Sequence, residues 1–396
     1  MIKFHWLRYC CALCIFCGSP LLSAVEHPLI HSTLMNAHQT DTSLPNTRFN
    51  SLEEALYFYQ QLDQQVQWPQ LKPGPLLRQG DRHSQVMILR QQLMLLGDYR
   101  GLTSATRDEQ LFDSALHQAL LRFQRRHGAK VDGILGPQSR QLLNMTPSSR
   151  IQQLHVNQQR IKQFKSHVSE RFIQVNIPEF KLRLINQGDI VLQVKTIVGR
   201  EERQTPEFTT DIKALLINPS WTVPKSIGWK DIIPAWQLDP DYLEKKNLNI
   251  AQGLGEQRVL FAAQEVTPEM MYSGSEYRYF WEAPGPGNTL GRIKFMSHSR
   301  YAIYLHDTSA QGLFKSHRRD FSSGCIRVEQ ANELAQQLLR LDSPWQLPQL
   351  QQTLTTEQTQ EIYLKQPVPV HITYWTAWVD QQGILHFRDD IYHRDP

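Results

Sequence analysis

Two hydrophobic periods succeed one another along this chain. In the first part, apolar residues recur every three or four positions, as on helices that bury one face. Leu52, Ala55, Leu56, Tyr59 and Leu62 follow Ser51, a good N-cap. Lys72-Pro73-Gly74-Pro75 then interrupts the chain. Val86, Leu89, Leu93 and Leu96 predict a helix ending at Gly97. Phe112, Ala115, Leu116, Ala119 and Phe123 predict another ending at Gly128, and Pro137 opens a short one through Leu142 and Leu143. A polar connecting helix is predicted from Ile151 to Val168.

Beyond it the period changes to two, that of half-buried strands. Ile173, Val175 and Ile177 alternate, as do Phe180, Leu182 and Leu184; Asn186-Gln187-Gly188-Asp189 is a turn and Ile190 to Val198 returns. Lys225 to about Tyr279 reads as irregular, with Trp229, Trp236, Tyr242 and Tyr272 among polar residues. A stretch that long is either a functional or mobile insertion or a disordered surface loop. Tyr301, Ile303 and Leu305 alternate and place His306 at a strand end. Val328, Ala331, Leu334, Ala335 and Leu338 then recur at helical spacing. Val368, Val370, Ile372 and Tyr374, followed by Ile384, His386 and Arg388 about Gly383, predict a final hairpin. The fold class is α+β: a small three-helix module at 78–144, then a mainly β domain.

The 396 residues leave room for two or three domains. A formal charge of +4, with 40% hydrophobic and 20% charged residues, is ordinary for a globular protein and gives no reason to expect nucleic acid. Lys3 and Arg8 precede the apolar run Tyr9–Phe16, too short to span a bilayer, and Ser23-Ala24 offers a cleavage site. Residues 1–24 thus predict an export signal, the alternative being an uncleaved apolar anchor. Leu13 before Cys14 and Phe16 before Cys17 argue against lipidation. Cys10, Cys11, Cys14 and Cys17 all lie in this segment, so cleavage would leave Cys325 alone. Exported proteins usually pair their cysteines or lack them; a lone thiol is a buried leftover or a chemical tool.

Its setting points to chemistry. Ser322-Ser323-Gly324-Cys325 follows the polar, basic loop of Lys315, His317, Arg318, Arg319 and Asp320, with His306 within reach. The helical spacing after it places Cys325 just ahead of a helix, where free N–H groups and the dipole would lower a thiol pKa and could hold an oxyanion. A zinc site is not indicated, because one cysteine with scattered histidines has no ligand spacing, and His298 and His317 read as surface residues. The chain carries no G-x-S-x-G, no S-x-x-K and no papain-type signature. No metal or cofactor is expected.

His306-Asp307-Thr308 and the later S-S-G-C-I-R resemble the catalytic signature of the L,D-transpeptidases, the YkuD-type fold. Ser323 stands where many members have a second histidine, and the chain resembles the larger members with a capping insertion. L-R-Q-Q-L, L-L-R-F-Q-R-R-H-G and V-D-G-I-L-G-P-Q-S are similar to the three-helix peptidoglycan-binding module. These resemblances imply a linker and helix at 25–75, a wall-binding or merely spacing module at 78–144, a connecting helix at 145–169 and a catalytic domain at 170–396, with a capping insertion at about 225–279. They imply Cys325 as nucleophile, His306 as base, the Asp307 carbonyl as its orienter, and the Gly324 and Cys325 N–H groups as oxyanion donors. Arg327, Tyr304 and Ser323 become substrate-contact candidates, Arg327 either pairing with a substrate carboxylate or locking the loop. The implied protein is a periplasmic cysteine acyltransferase that forms 3–3 cross-links between donor and acceptor stem peptides, alongside other wall-synthesis proteins, with a role in cell shape. Water or a protein lysine as acceptor, or a catalytically silent wall-binding protein, are the alternatives.

Overall fold

The computed structural model of the protein describes residues 47–100, 108–166, 168–272 and 277–396. The expected export signal and the first part of the expected linker lie outside them.

Among the described residues, five helices form the first layer: α1 (Leu52–Gln65), α2 (Gln85–Leu95), α3 (Ser114–Arg126), α4 (Pro137–Asn144) and α5 (Pro147–Lys165). Ser51, Asp113 and Thr146 cap α1, α3 and α5 by accepting from backbone N–H groups, and Pro137 and Pro147 open their helices. Ala55, Tyr59, Leu89, Leu93, Leu116, Phe123, Leu143 and Leu154 share one core. That core runs from α1 to α5 and so extends beyond 78–144. Inside it Arg126 pairs with the fully buried Asp98 at 2.6 Å.

Strands follow, the first being β1 (Arg171–Asn176), β2 (Lys181–Asn186), β3 (Asp189–Gly199) and β4 (Phe208–Ile217). Next come the short strands β5 (Trp221–Thr222), β6 (Asn249–Gln252), β7 (Val259–Phe261) and β8 (Arg278–Glu282). The remainder are β9 (Ile293–Ser297), β10 (Leu305–His306), β11 (Asp320–Ser322), β12 (Ile326–Val328), β13 (Gln360–Thr373), β14 (Ala377–Val379) and β15 (Leu385–Phe387). Helices α6 (Ala331–Asp342) and α7 (Leu347–Leu354) lie between β12 and β13.

Among the described residues, the main sheet has nine strands in the order β11-β3-β12-β10-β9-β4-β13-β1-β2, and β2 also pairs with β3, which closes it into a barrel. The expected β2–β3 hairpin forms, with Gln187 and Gly188 both at positive φ (53° and 88°), the geometry of a tight two-residue turn. Ile173, Val175, Leu182, Leu215, Phe295, Leu305 and Ile326 fill the core, joined by Leu334 and Leu338 of α6. The architecture is α+β. Among the described residues no helix is long and apolar enough to cross a membrane.

Two expectations are corrected. The stretch from Lys225 to Tyr279, read as irregular, is folded over its described residues 225–272 and 277–279. Strands β5-β8-β6-β7 form a separate sheet, with short helical segments around a core of Val223, Ile232, Ile233, Leu243, Ile250, Val266, Met271 and Phe280. Its elements are too short to sustain a period in sequence, so the apolar pattern is invisible there. The tail is not one hairpin. Val368, Val370 and Ile372 belong to the long barrel strand β13, paired with β4 and β1. The hairpin is β14–β15, and its Ala377, Leu385 and Phe387 pack into the helical core.

Candidate active site

His306 ends β10, Cys325 directly precedes β12, and these two strands are parallel neighbours. Leu305 pairs with Ile326 and His306 with Arg327. On its other side β10 pairs with β9, Leu305 opposite Phe295 and His306 opposite Lys294. Because successive side chains alternate between faces, Phe295, Leu305 and Ile326 enter the barrel core and are almost wholly buried. Lys294, Tyr304, His306, Cys325 and Arg327 share the opposite face.

The imidazole is held by its own chain. Nδ1 lies 2.5 Å from the Asp307 carbonyl oxygen. A carbonyl only accepts, so that acceptor assigns the proton to Nδ1. The Asp307 carboxylate does something else. It accepts from the Arg292 N–H at 2.8 Å and from Gln311 at 3.1 Å. It thereby covers the turn at Gly291, whose φ of +63° and closeness to Asp307 leave no space for a Cβ. Among the described residues no hydrogen bond joins the imidazole to the thiol in this state.

The segment before the thiol is tied down residue by residue. Ser322 Oγ donates to the Cys325 carbonyl at 2.6 Å and accepts from the Gly324 N–H at 3.0 Å. The Gly324 carbonyl accepts from Thr205 Oγ at 2.8 Å, and Thr205 Oγ accepts from the Gly199 N–H at 2.9 Å, which anchors the segment to the end of β3. Gly324 has φ +114°, a conformation that favours glycine. The Gly324 N–H, expected as an oxyanion donor, is therefore already engaged. The Cys325 N–H finds no acceptor among the described residues. Ser323 is exposed, and its hydroxyl accepts from Arg203 at 2.9 Å and Arg200 at 3.3 Å. Both arginines also reach Asp231 of the inserted subdomain.

The expected helix start at Cys325 is corrected. Strand β12 comes first, and α6 begins only at Ala331. Val328 fits the helical spacing by coincidence, since it is the last residue of β12. No helix dipole acts on the thiol at close range, and the direction of its shift is opposite to the expectation. Burial pushes the Cys325 thiol up, against the opposing pull of the Tyr304 backbone amide, Lys294 and Arg327. Burial likewise lowers His306 to about 3, aided by Arg327 and Lys294, against the Asp307 and Leu290 carbonyls. The pair at rest is a neutral thiol and a neutral imidazole.

The structure brings together Cys325, His306, Tyr304 and Arg327 on one face. It puts Ser323 on the surface side of the segment, held by arginines, and uses Asp307 and Gly324 in backbone geometry. His298 and His317 are exposed, as expected. Lys294, Arg200, Arg203 and Asp231 are additions that the sequence pattern does not single out. Lys294 has one signal in sequence, a lysine between Ile293 and Phe295 in the strand leading into the His306 strand. Among the described residues no group of three or more His, Cys, Asp or Glu side chains could hold a metal ion.

Residues 170–370 match the family described as L,D-transpeptidase catalytic domain (YkuD), and the chain belongs to that family. Residues 82–143 match the family described as "Putative peptidoglycan binding domain". A Haemophilus influenzae protein described as "Putative L,D-transpeptidase" is 31% identical over 248 residues, covering 63% of this chain and 49% of its own length. The chain thus spans about half the length of that curated relative. Solved structures of L,D-transpeptidases from Mycobacterium smegmatis and Stackebrandtia nassauensis are similar at 9% and 12% identity. The first match covers 52% of this chain and 58% of the other, the second 77% and 96%, both at a TM-score of 0.26. Overlaps that loose carry no weight for the chemistry.

Proposed function

We propose that this protein is an exported L,D-transpeptidase that joins peptidoglycan stem peptides through a thioester on Cys325. The observation that carries the reading is the placement of Cys325 and His306 on one face of adjacent parallel strands, with the imidazole held by the Asp307 carbonyl. Cys325 attacks the carbonyl of the third residue of a donor stem, a diamino acid, and its proton passes to His306. Because both groups rest neutral, proton transfer accompanies attack, and the imidazole closes on the thiol when the donor binds; catalytic hydrogen bonds are commonly long before that. The free Cys325 N–H and the Tyr304 amide beside the thiol face the developing oxyanion. The carbon–nitrogen bond then breaks, His306 returns the proton to the leaving D-amino acid, and a thioester remains. An amine of a second stem attacks it, giving a 3–3 cross-link and releasing the thiol.

The inserted subdomain, joined to Ser323 through Arg203, supports a cap that favours the amine over water. The helical layer, matching a peptidoglycan-binding family, supports wall attachment. Acyl-enzyme formation on a stem tetrapeptide, read by intact-protein mass spectrometry, tests the reading. The wild type gains the mass of the acyl tripeptide; Cys325→Ala gains nothing while keeping its melting temperature. His306→Gln acylates roughly two to four orders of magnitude more slowly. Turnover by Cys325→Ala would refute the mechanism. Muropeptides made with and without the protein report the acceptor: cross-linked dimers for an amine, free tripeptides for water.

A further inference from the structure

Lys294, His306 and Arg327 form one row across three neighbouring strands, β9, β10 and β12. Two cations thus flank the candidate base, and both act on the Cys325 thiol. Neither has an anionic partner among the described residues. The Lys294 ammonium stands over the Tyr304 ring, 3.9 Å from its centroid. The Arg327 Nε is shut off from solvent and has no acceptor. Arg90, Arg140 and Arg150 also keep one buried nitrogen without an acceptor, but each is hydrogen-bonded through another nitrogen, and several further arginines are engaged. Arg126, Arg160 and Arg183 find Asp98, Asp395 and Glu179, while Arg292 and Arg319 find backbone carbonyls. Withdrawing a cation from water without a counter-charge is costly. Two such cations, one on either side of His306 and one of them a planar fork suited to two oxygens, make a site suited to an anion.

We propose that Lys294 and Arg327 together form a carboxylate subsite that holds a free carboxylate of the donor peptide beside the scissile bond. This rests on Cys325 as the attacking group. It goes beyond that reading by giving Lys294 a function and by making the enzyme selective for donors that carry a carboxylate near the reacting carbonyl. Two sources have the required chemistry: the C-terminal carboxylate of the leaving residue and the side-chain carboxylate of the diamino acid.

The test separates the subsite from the nucleophile by measuring binding on the full chain carrying Cys325→Ala. Calorimetric titrations use three stem tetrapeptides: the free acid, its C-terminal amide, and the peptide amidated on the diamino-acid side chain. One amide is expected to bind roughly ten- to a hundredfold more weakly than the free acid, as for loss of a charge-assisted contact, and that arm identifies the carboxylate. Lys294→Met and Arg327→Gln, each checked for an unchanged melting temperature, should weaken free-acid binding and shrink the gap between acid and amide. Arg327→Lys should restore part of it, which a purely structural arginine would not do. Equal binding of all three peptides, or a gap that survives both Lys294→Met and Arg327→Gln, would overturn the subsite. With Cys325 present, labelling by the neutral reagent iodoacetamide reports separately on the nucleophile. Normal labelling, with a gap that Lys294→Met and Arg327→Gln both reduce, upholds both readings, whereas the same gap and the same reduction with an inert Cys325 uphold the subsite and sink the nucleophile.

Discussion

Ser323 and Asp231 are joined by one guanidinium. Arg203 donates to the Ser323 hydroxyl at 2.9 Å and to the Asp231 carboxylate at 2.8 Å. One is a residue of the segment that presents Cys325, and the other belongs to the inserted subdomain. Arg200 contacts the same two groups more loosely. A movement of the inserted subdomain therefore pulls on the segment two residues from the thiol.

Asp231→Ala should loosen that connection. The pair is part-exposed, so its loss should cost no more than about 1 kcal/mol and barely move the melting temperature. Hydrogen exchange should nevertheless rise across the inserted subdomain, and the ratio of cross-linked to hydrolysed product should fall. Unchanged exchange together with an unchanged ratio would remove Arg203 as a coupling element.

The protonation states make a second prediction. Burial raises the Cys325 thiol above its ordinary value, and the imidazole, lowered to about 3, is neutral throughout the physiological range. Alkylation of the free enzyme by iodoacetamide should therefore keep rising with pH through 9, with no inflection near 6.5. A plateau by about pH 7 would reveal a preformed thiolate and contradict the neutral pair.

Acid stability follows from Glu179. Burial alone would raise its pKa, but Arg183, Arg388 and Lys181 outweigh that and lower it to about 2. The unfolded chain takes up a proton near 4.5, so the stabilisation is complete above that pH and is lost as pH falls from 4.5 towards 2. The full effect is about 3 kcal/mol. His306 adds a loss of the same sign between 6.5 and about 3, because the unfolded imidazole is protonated first. Urea melts between about pH 7 and about pH 2.5 should show this decline. Glu179→Gln should flatten the lower part of the curve while destabilising the protein at neutral pH, since three cations lose their partner.

The β14–β15 hairpin predicts a dependence between distant parts of the chain. Phe387 is fully buried in the helical core, stacked on His127 at 5.3 Å and under Arg150 at 4.3 Å. Phe387→Ala should cost about 3–5 kcal/mol and increase exchange in α3 and α5. A variant lacking 78–144 would expose the hairpin's apolar face. Wall-binding tests of the module therefore call for surface substitutions on an intact chain. Normal exchange in α3 and α5 of Phe387→Ala would show the hairpin to be a passive rider on the helices.

Much of this protein is legible in its sequence because the signals are local. Helices α1 to α4 follow from apolar spacing, with Ser51 and Pro137 at the starts of α1 and α4, and α5 reads as a polar connecting helix from Ile151, four residues inside its actual start at Pro147. The β2–β3 hairpin follows from alternation about Gln187-Gly188, and His306 does end a strand, although of the alternating stretch from Tyr301 only Leu305–His306 is strand. Cys325 stands out as the one cysteine of the sequence outside the N-terminal run, directly after Ser-Ser-Gly. What escapes depends on pairing between segments distant in sequence. Lys294 joins His306 and Arg327 only because β9 pairs with β10. Cys325 precedes a strand because Ile326 and Val328 find β10 and β3 as neighbours, which local spacing cannot distinguish from a helix start. The direction of the thiol's shift follows from burial, a property of the packed barrel. The inserted subdomain is unreadable because its elements are shorter than the window in which a period can be recognised. Asp231, Arg203 and Ser323 meet only when that subdomain is in place. Sequence determines backbone preference and which face of an element is apolar; which faces meet, and which charges are left without partners when they do, is decided by the tertiary fold.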